Sequence, residues 1–194
     1  LPQPEISESE LPTLAIRPYP QQYVQPWTLS DGIPVTLRPI RPEDEPLMVK
    51  FHQTHSERSI YFRWLHLLQL SERIAHERLI GVYFIDYDRE IALVADYQNP
   101  ETGQHEIIGV GRLIKTTGGR EAEFALLVTD RFQRKGLGTE LLRRLIQCGR
   151  DERLLRFTGD ILVENVGMQA VCKKLGIPVR YSPEDRVMRA SMEL

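Results

Sequence analysis

The chain has 194 residues, 41% hydrophobic and 27% charged, with a formal net charge of −2; this is the profile of one ordinary globular domain with a sizeable core. So even a balance lacks the clustered basic surface that nucleic acid requires, and we expect no nucleic-acid partner. No apolar run approaches the roughly 20 residues needed to cross a bilayer, and no secretory signal is visible, so no membrane association is expected.

Residues 1 to about 23 carry Pro2, Pro4, Pro12, Pro18 and Pro20 among Glu and Ser, a composition that buries little apolar surface and reads as a linker. The start at Leu1 rather than Met leads us to expect an excised portion of a longer polypeptide. We divide the chain into residues 1–34, a linker or tail from a preceding domain plus an entry strand, and residues 35–194, the folded domain. Trp27-Thr28-Leu29 and Val35-Thr36-Leu37-Arg38 flank Ser30-Asp31-Gly32, the pattern of a hairpin. Arg41-Pro42-Glu43-Asp44 begins a helix, because proline suits the first turn and carboxylates there complement the helix dipole. Leu47, Val49 and Phe51 supply its apolar positions. Further helices are expected over residues 59–68 and 71–80, the latter with Ser71 as its N-cap.

The period then changes. Residues 91–95, 107–114 and 122–128 are β-rich, and their separators, Asn99-Pro100-Glu101-Thr102-Gly103 and Thr116-Thr117-Gly118-Gly119, are turn chemistry. An antiparallel meander follows. Leu137, Leu141, Leu142, Leu145 and Cys148 mark one face of a helix. Residues 157–163 read as a strand, 165–175 as a helix, and 179–181 and 187–192 as short closing strands. This order gives an α/β (α+β) fold with a mixed, mostly antiparallel central sheet and helices on both faces.

Chemistry concentrates around Gln133-Arg134-Lys135-Gly136-Leu137-Gly138. A strand enters this loop and a helix leaves it, so successive N–H groups from Arg134 through Thr139 are placed to cradle a pyrophosphate. Gly136 and Gly138 let the backbone approach a ligand and adopt angles other residues resist, and Arg134 and Lys135 add charge. A plain strand-to-helix turn is the competing explanation. The loop is not a Walker loop, because Lys135-Gly136 reverses the needed order, and its spacing does not fit a dinucleotide fingerprint. Glu123, on the entering strand, is within plausible reach of whatever the ligand delivers. Downstream, Asn165 is well placed as an N-cap and Gly176 as a terminating glycine.

Cys148 and Cys172 lie in helix-like segments without metal-ligand spacing, usage that fits a reducing, cytoplasmic setting. His52 and His55 can share a helical face, but no further ligands stand at recognisable metal spacing. We expect no metal.

Taken together, the two segments resemble the GNAT superfamily of acyl-CoA-dependent N-acyltransferases. Gln133, Gly136 and Gly138 match its Gln/Arg-x-x-Gly-x-Gly/Ala signature position for position. Its later Asn-x-x-Ala-x-x-x-Tyr-x-Lys-x-Gly-Phe motif aligns with Asn165, Met168, Cys172, Lys174, Gly176 and Ile177. A narrower likeness is carried by residues 37–45, 84–90 and 122–125, which are similar to the acetyltransferase domain of bacterial Pat-type protein lysine acetyltransferases. In that family the domain follows a large regulatory one related to acyl-CoA synthetases, and residues 14–20 look like the junction.

The resemblance implies acetyl-CoA as co-substrate, bound by Leu126, Leu127, Val128, Gln133, Arg134, Lys135, Gly136, Leu137, Gly138, Thr139 and Asn165. It implies a protein substrate, such as an acyl-CoA synthetase, and Glu123 as the catalytic glutamate. Physical chemistry agrees that a base is needed, because a lysine near pKa 10.4 has no lone pair until a proton is removed. Strand alternation places Glu123 with Ala125 and Leu127, apolar neighbours expected to raise its pKa. Glu121, at the strand entry, is the nearest rival. A backbone N–H around Leu126 to Val128 is the family's expected donor to the thioester oxygen. Cys172 stands where many members have Tyr, and is read as a packing residue with water as the acid. Two other functions remain open: transfer to a small amine, or an acyl-CoA sensor without catalysis.

Overall fold

The structure is a computed structural model, in which residues 18–64 and 86–194 are described. Its eight strands are β1 (Gln25–Thr28), β2 (Pro34–Pro39), β3 (Glu90–Gln98), β4 (His105–Lys115), β5 (Glu121–Val128), β6 (Arg156–Ile161), β7 (Val179–Ser182) and β8 (Val187–Glu193). They form one sheet in the order β1-β2-β3-β4-β5-β6-β8-β7. Every neighbouring pair is antiparallel except β5 with β6. The described helices are α1 (Glu45–Gln53), α2 (Glu57–Trp64), α3 (Leu137–Asp151) and α4 (Val166–Lys174). The expected mixed, mostly antiparallel sheet is therefore the fold.

Two cores hold helices to opposite faces of the sheet. On one face, α3 lays Leu137, Leu141, Leu142, Leu145 and Cys148 against a layer that includes Leu93, Ile108 and Phe124. Gly109 and Gly111 on β4 permit that approach. A Cβ at Gly109 would stand 2.9 Å from Leu137 Cδ2, and one at Gly111 would stand 3.0 Å from Leu126 Cδ2. On the other face, Met48 and Phe51 of α1 cover Ala92, Val94, Val110 and Leu127. Each fully buried side chain of this size contributes about 1.5–3 kcal/mol relative to exposure.

The start of α1 differs from the expectation in a useful way. A 3-10 turn, Pro42–Asp44, precedes the helix. Asp44 is buried rather than solvated, and accepts from both terminal nitrogens of Arg38 at 2.7 Å and from the Arg41 N–H at 2.8 Å. Arg38 Nε also reaches Asp96 at 3.1 Å. Removing one member of such a buried pair costs about 3–5 kcal/mol. Along α1 the buried positions are Met48, Phe51 and His52, with Leu47 and Val49 only flanking them. The next helix begins at Glu57, two residues before the expected start, because the Ser56 hydroxyl accepts the Ser59 N–H at 3.3 Å. The helix expected over residues 71–80 and the landmark at Phe84-Ile85 lie outside the described residues.

The last helix follows the expected capping chemistry. Asn165 Oδ1 accepts the Met168 N–H at 3.1 Å at the start of α4. Gly176, at φ +73°, ends it, with the Ile177 N–H on the Cys172 carbonyl and the Gly176 N–H on that of Lys173. That double bond pattern is a Schellman termination.

Candidate active site

The parallel pair β5–β6 is a fork. Only Glu121, Ala122 and Glu123 register with Arg156, Phe157 and Thr158; beyond Glu123 the strands part. The Phe124 ring fills the angle of the fork. It stacks on Phe157 with centroids 4.7 Å apart at 15°, and covers Gly159, where a Cβ would come within 2.5 Å of its Cζ.

The fork leaves main-chain groups of β5 facing outward. Thr129 N–H donates to the Ile108 carbonyl, and Thr116 N–H to the Glu121 carbonyl, which fixes the phase of the β4–β5 ladder. Antiparallel alternation then gives the backbone groups of Glu121, Glu123, Ala125 and Leu127 to β4, and turns those of Leu126 and Val128 to the opposite edge. The register with β6 stops short of that level. The main-chain groups of Leu126 and Val128 face that edge, where the Val128 carbonyl accepts from Gln133 Nε2, and those of Leu127 face β4. The Leu127 side chain belongs to the second core.

Past Val128 the chain makes a 3-10 turn, Asp130–Phe132, and enters the glycine loop. Gly136 takes φ +86° as the residue before α3, and Arg134 also has positive φ, +60°. The Glu140 N–H on the Gly136 carbonyl is the first bond of the helix, so the N–H groups of Leu137, Gly138 and Thr139 are left over at its positive end. Leu137 and Thr139 are buried by their side chains. Gly138 has ordinary backbone angles, and nothing lies within 4 Å of the place a Cβ would occupy. Its backbone therefore does not require glycine, contrary to what the sequence suggests for both glycines.

The β1–β2 hairpin props this loop from behind. Ser30 N–H donates to the Lys135 carbonyl at 3.1 Å, and a Cβ at Gly136 would meet the Trp27 ring at 3.5 Å. Lys135 is drawn to Asp31 Oδ2 at 2.7 Å and lies over the Phe132 ring; its hydrogen bond is the main cause that lowers the Asp31 carboxyl below its usual range. Arg134 is exposed, with no ion-pair partner among the described residues. Gln133 is exposed but tethered: its Nε2 donates to the Val128 carbonyl and to Ser59 Oγ, each at 3.0 Å. Asn165 is occupied as the cap of α4.

Glu123 stands at the mouth of the fork, opposite Thr158 and Ile114. It shares a sheet face with Ala125 and Leu127, as alternation requires, but it is exposed rather than shielded by apolar neighbours. The expected apolar setting is therefore not found among the described residues, because Leu127 lies under α1 while Glu123 lies beyond its cover. Glu123 makes no hydrogen bond or ion pair among the described residues, whereas Glu121 is held by Arg156 at 3.1 Å. Cys172 is fully buried, and burial pushes its thiol up to about 11.

Sequence reasoning missed the residues that shape the site from behind: Trp27, Ser59, Asp130 and the Phe124–Gly159 contact. Gly109, Gly111 and Gly159 carried a readable signal, since an isolated glycine in a strand marks close approach. Among the described residues no group of His, Cys, Asp or Glu is placed to hold a metal ion, and no helix is long and apolar enough to cross a membrane.

Comparison with known proteins agrees with this geometry. A family model described as an acetyltransferase (GNAT) domain matches residues 35–177. An acetyltransferase of Pseudomonas aeruginosa is 27% identical over 158 residues, covering 81% of this chain and 82% of that protein. The crystal structure of the GNAT domain of S. lividans PAT superposes with a TM-score of 0.80 at 27% identity, covering 91% of this chain and 100% of that one. Mycobacterium smegmatis RimJ, solved in complex with CoA-disulfide, shares the fold with a TM-score of 0.69 at 16% identity, over 88% of this chain and 86% of its own.

Proposed function

We propose that this chain, which belongs to the GNAT acetyltransferase family, transfers the acetyl group of acetyl-CoA to lysine side chains of target proteins, acyl-CoA synthetases among them. The observation that carries the reading is the fork. The one carboxylate at its mouth without a partner among the described residues, Glu123, stands where β5 leaves β6. The same strand then runs as an open edge to the glycine loop.

In this reading the N–H groups of residues 134–139 hold the pyrophosphate, with Arg134 adding charge. The pantetheine amides pair with Leu126 and Val128 along the open edge, in the manner of an added strand. A main-chain N–H of that edge faces the thioester oxygen and stabilises the negative charge it gains. Glu123 removes a proton from the incoming ammonium, directly or through water; general-base help of this kind contributes about 10²–10⁴-fold. Its exposure favours the water route, since solvent reaches it. Cys172 packs in the core, and water returns the proton to the departing thiolate. A protein acceptor is favoured by the likeness to the S. lividans PAT domain and by the landmarks at residues 37–45 and 122–125.

Mass spectrometry of candidate acyl-CoA synthetases incubated with the chain and acetyl-CoA tests the reading, with Glu123→Gln as the control. A lysine mass shift that depends on Glu123 supports it. Acetylation of polyamines or other small amines alone would redirect it to a different acceptor.

A further inference from the structure

Helix α2 is attached to the glycine loop by a directional chain of hydrogen bonds. Gln133 Nε2 carries two N–H groups, which go to the Val128 carbonyl and Ser59 Oγ, both at 3.0 Å; Asp130 Oδ1 lies at 3.3 Å from the same nitrogen. Ser59 in turn donates its O–H to Asp130 Oδ1 at 2.8 Å, and Asp130 Oδ2 accepts the Ser56 N–H at 3.3 Å. The orientation of the Gln133 amide follows from its surroundings. A carbonyl and a carboxylate both face that atom, so it must be the donor nitrogen. A second contact, Thr54 Oγ1 to Thr129 Oγ1 at 3.2 Å, joins the end of α1 to the end of β5.

These bonds connect three parts that the proposed chemistry uses separately. Val128 ends the open edge, Gln133 begins the glycine loop, and Ser59 lies in the first turn of α2. That helix lies on the Glu123 side of the sheet: Trp64 packs against the core that contains Leu127, and Leu127 and Glu123 alternate onto one face. Among the described residues of α2, Ile60 is the buried side chain, while Ser59 carries the polar attachment to the loop. The connecting bonds face solvent, so they are open to competition from water unless their anchors are fixed.

We propose that Ser59 is a positioning residue that couples coenzyme A binding at the loop to the placement of α2 on the acceptor side of the sheet. The inference rests on the proposed assignment of residues 134–139 as the coenzyme site. A ligand seated on the edge and loop fixes both Val128 and Gln133, and the Gln133 amide then presents a fixed donor to Ser59. Ordering passes to α2 on the sheet face that carries Glu123, and by linkage an acceptor that orders α2 tightens the coenzyme in return.

Amide hydrogen exchange of the whole chain with and without free coenzyme A tests this, alongside calorimetric titration of the same ligand. In the wild type, coenzyme A should slow exchange in residues 134–140 and also in 57–64, the latter on the order of 5-fold. Ser59→Ala should keep loop protection, lower coenzyme A affinity by no more than the same factor of about 5, and lose the added protection of 57–64. Ser59→Thr, which retains a hydroxyl, should restore it, an outcome that a merely structural role for the side chain would not give. Protection confined to the loop in the wild type, or equal protection of 57–64 in Ser59→Ala, would overturn the coupling while leaving the coenzyme site intact. Absence of any coenzyme A binding would remove both.

Discussion

Glu123 stands opposite Thr158 at the last register position that β5 and β6 share. One residue further, Phe124 stacks on Phe157 and covers Gly159. The carboxylate is thus fixed at the mouth of the fork by the aromatic contact behind it, and the fork itself depends on a missing side chain at Gly159.

Gly159→Ala should therefore destabilise the fold. The added methyl would fall 2.5 Å from Phe124 Cζ, and overpacking of this kind costs about 1–3 kcal/mol. Urea unfolding measures it. Pairing the substitution with Phe124→Leu should recover part of the loss, because the two residues share one contact and their effects cannot add. Additive losses would show that the ring is not what Gly159 accommodates.

The two loop glycines should respond differently to alanine. Gly136→Ala forces an alanine to φ +86°, a strain of about 1–3 kcal/mol, and should lower stability and coenzyme A affinity together. Gly138→Ala meets nothing within 4 Å and gains about 1 kcal/mol of helix propensity. It should unfold no earlier than the wild type in urea. Because the GNAT signature accepts alanine at this position, calorimetry should also show coenzyme A affinity within about twofold of wild type. A loss of about tenfold or more would mean that the added methyl obstructs the ligand and that only glycine serves there.

Much of this was legible in the sequence, and the limits have physical causes. The meander, the amphipathic α3 and the caps of α4 follow from periodicity and capping chemistry, which are local. The likeness of Gln133, Gly136, Gly138 and Asn165 to the GNAT signatures located the loop. Alternation along β5 places Glu123 on the face of Leu127, but it does not report how far the described helices cover that face, and among the described residues the carboxylate is exposed. The sequence offers Lys135 as charge beside the loop; its pairing with Asp31, more than one hundred positions away, is a contact outside any local rule. The Gln133–Ser59 and Phe124–Gly159 contacts likewise join distant segments, and no local rule reports them. His52 and Asp44 turned out buried because tertiary packing outweighed their polarity.

Asp130 links loop and helix and should leave a signature in pH. Burial pushes its carboxyl up, but hydrogen bonds from Ser56 and Ser59 outweigh that and hold it below the usual value. A group lowered in the folded state favours folding fully above the ordinary carboxylate value of about 3.9, and loses that contribution as pH falls through its folded value. The difference in urea midpoint between wild type and Asp130→Asn should thus be present near neutrality and shrink at the acid end. A difference that grows on acidification would contradict the assignment.

Cys172 should prove chemically silent. It is fully buried, and its thiol is pushed up to about 11, so it stays protonated and closed to reagents. Cys172→Ala should turn over at the wild-type rate, and the native thiol should resist alkylation. A large fall in kcat with acetyl-CoA binding preserved would instead make it the acid that serves the leaving thiolate.

The central claim is that Glu123 supplies the base for acetyl transfer at the β5–β6 fork. Its most direct test is the steady-state rate of acetyl-CoA consumption with an acyl-CoA synthetase acceptor, comparing wild type with Glu123→Gln, each with its coenzyme A affinity measured in parallel. The account predicts a fall in kcat of about 10²–10⁴-fold with affinity unchanged. An undiminished kcat in Glu123→Gln would contradict it.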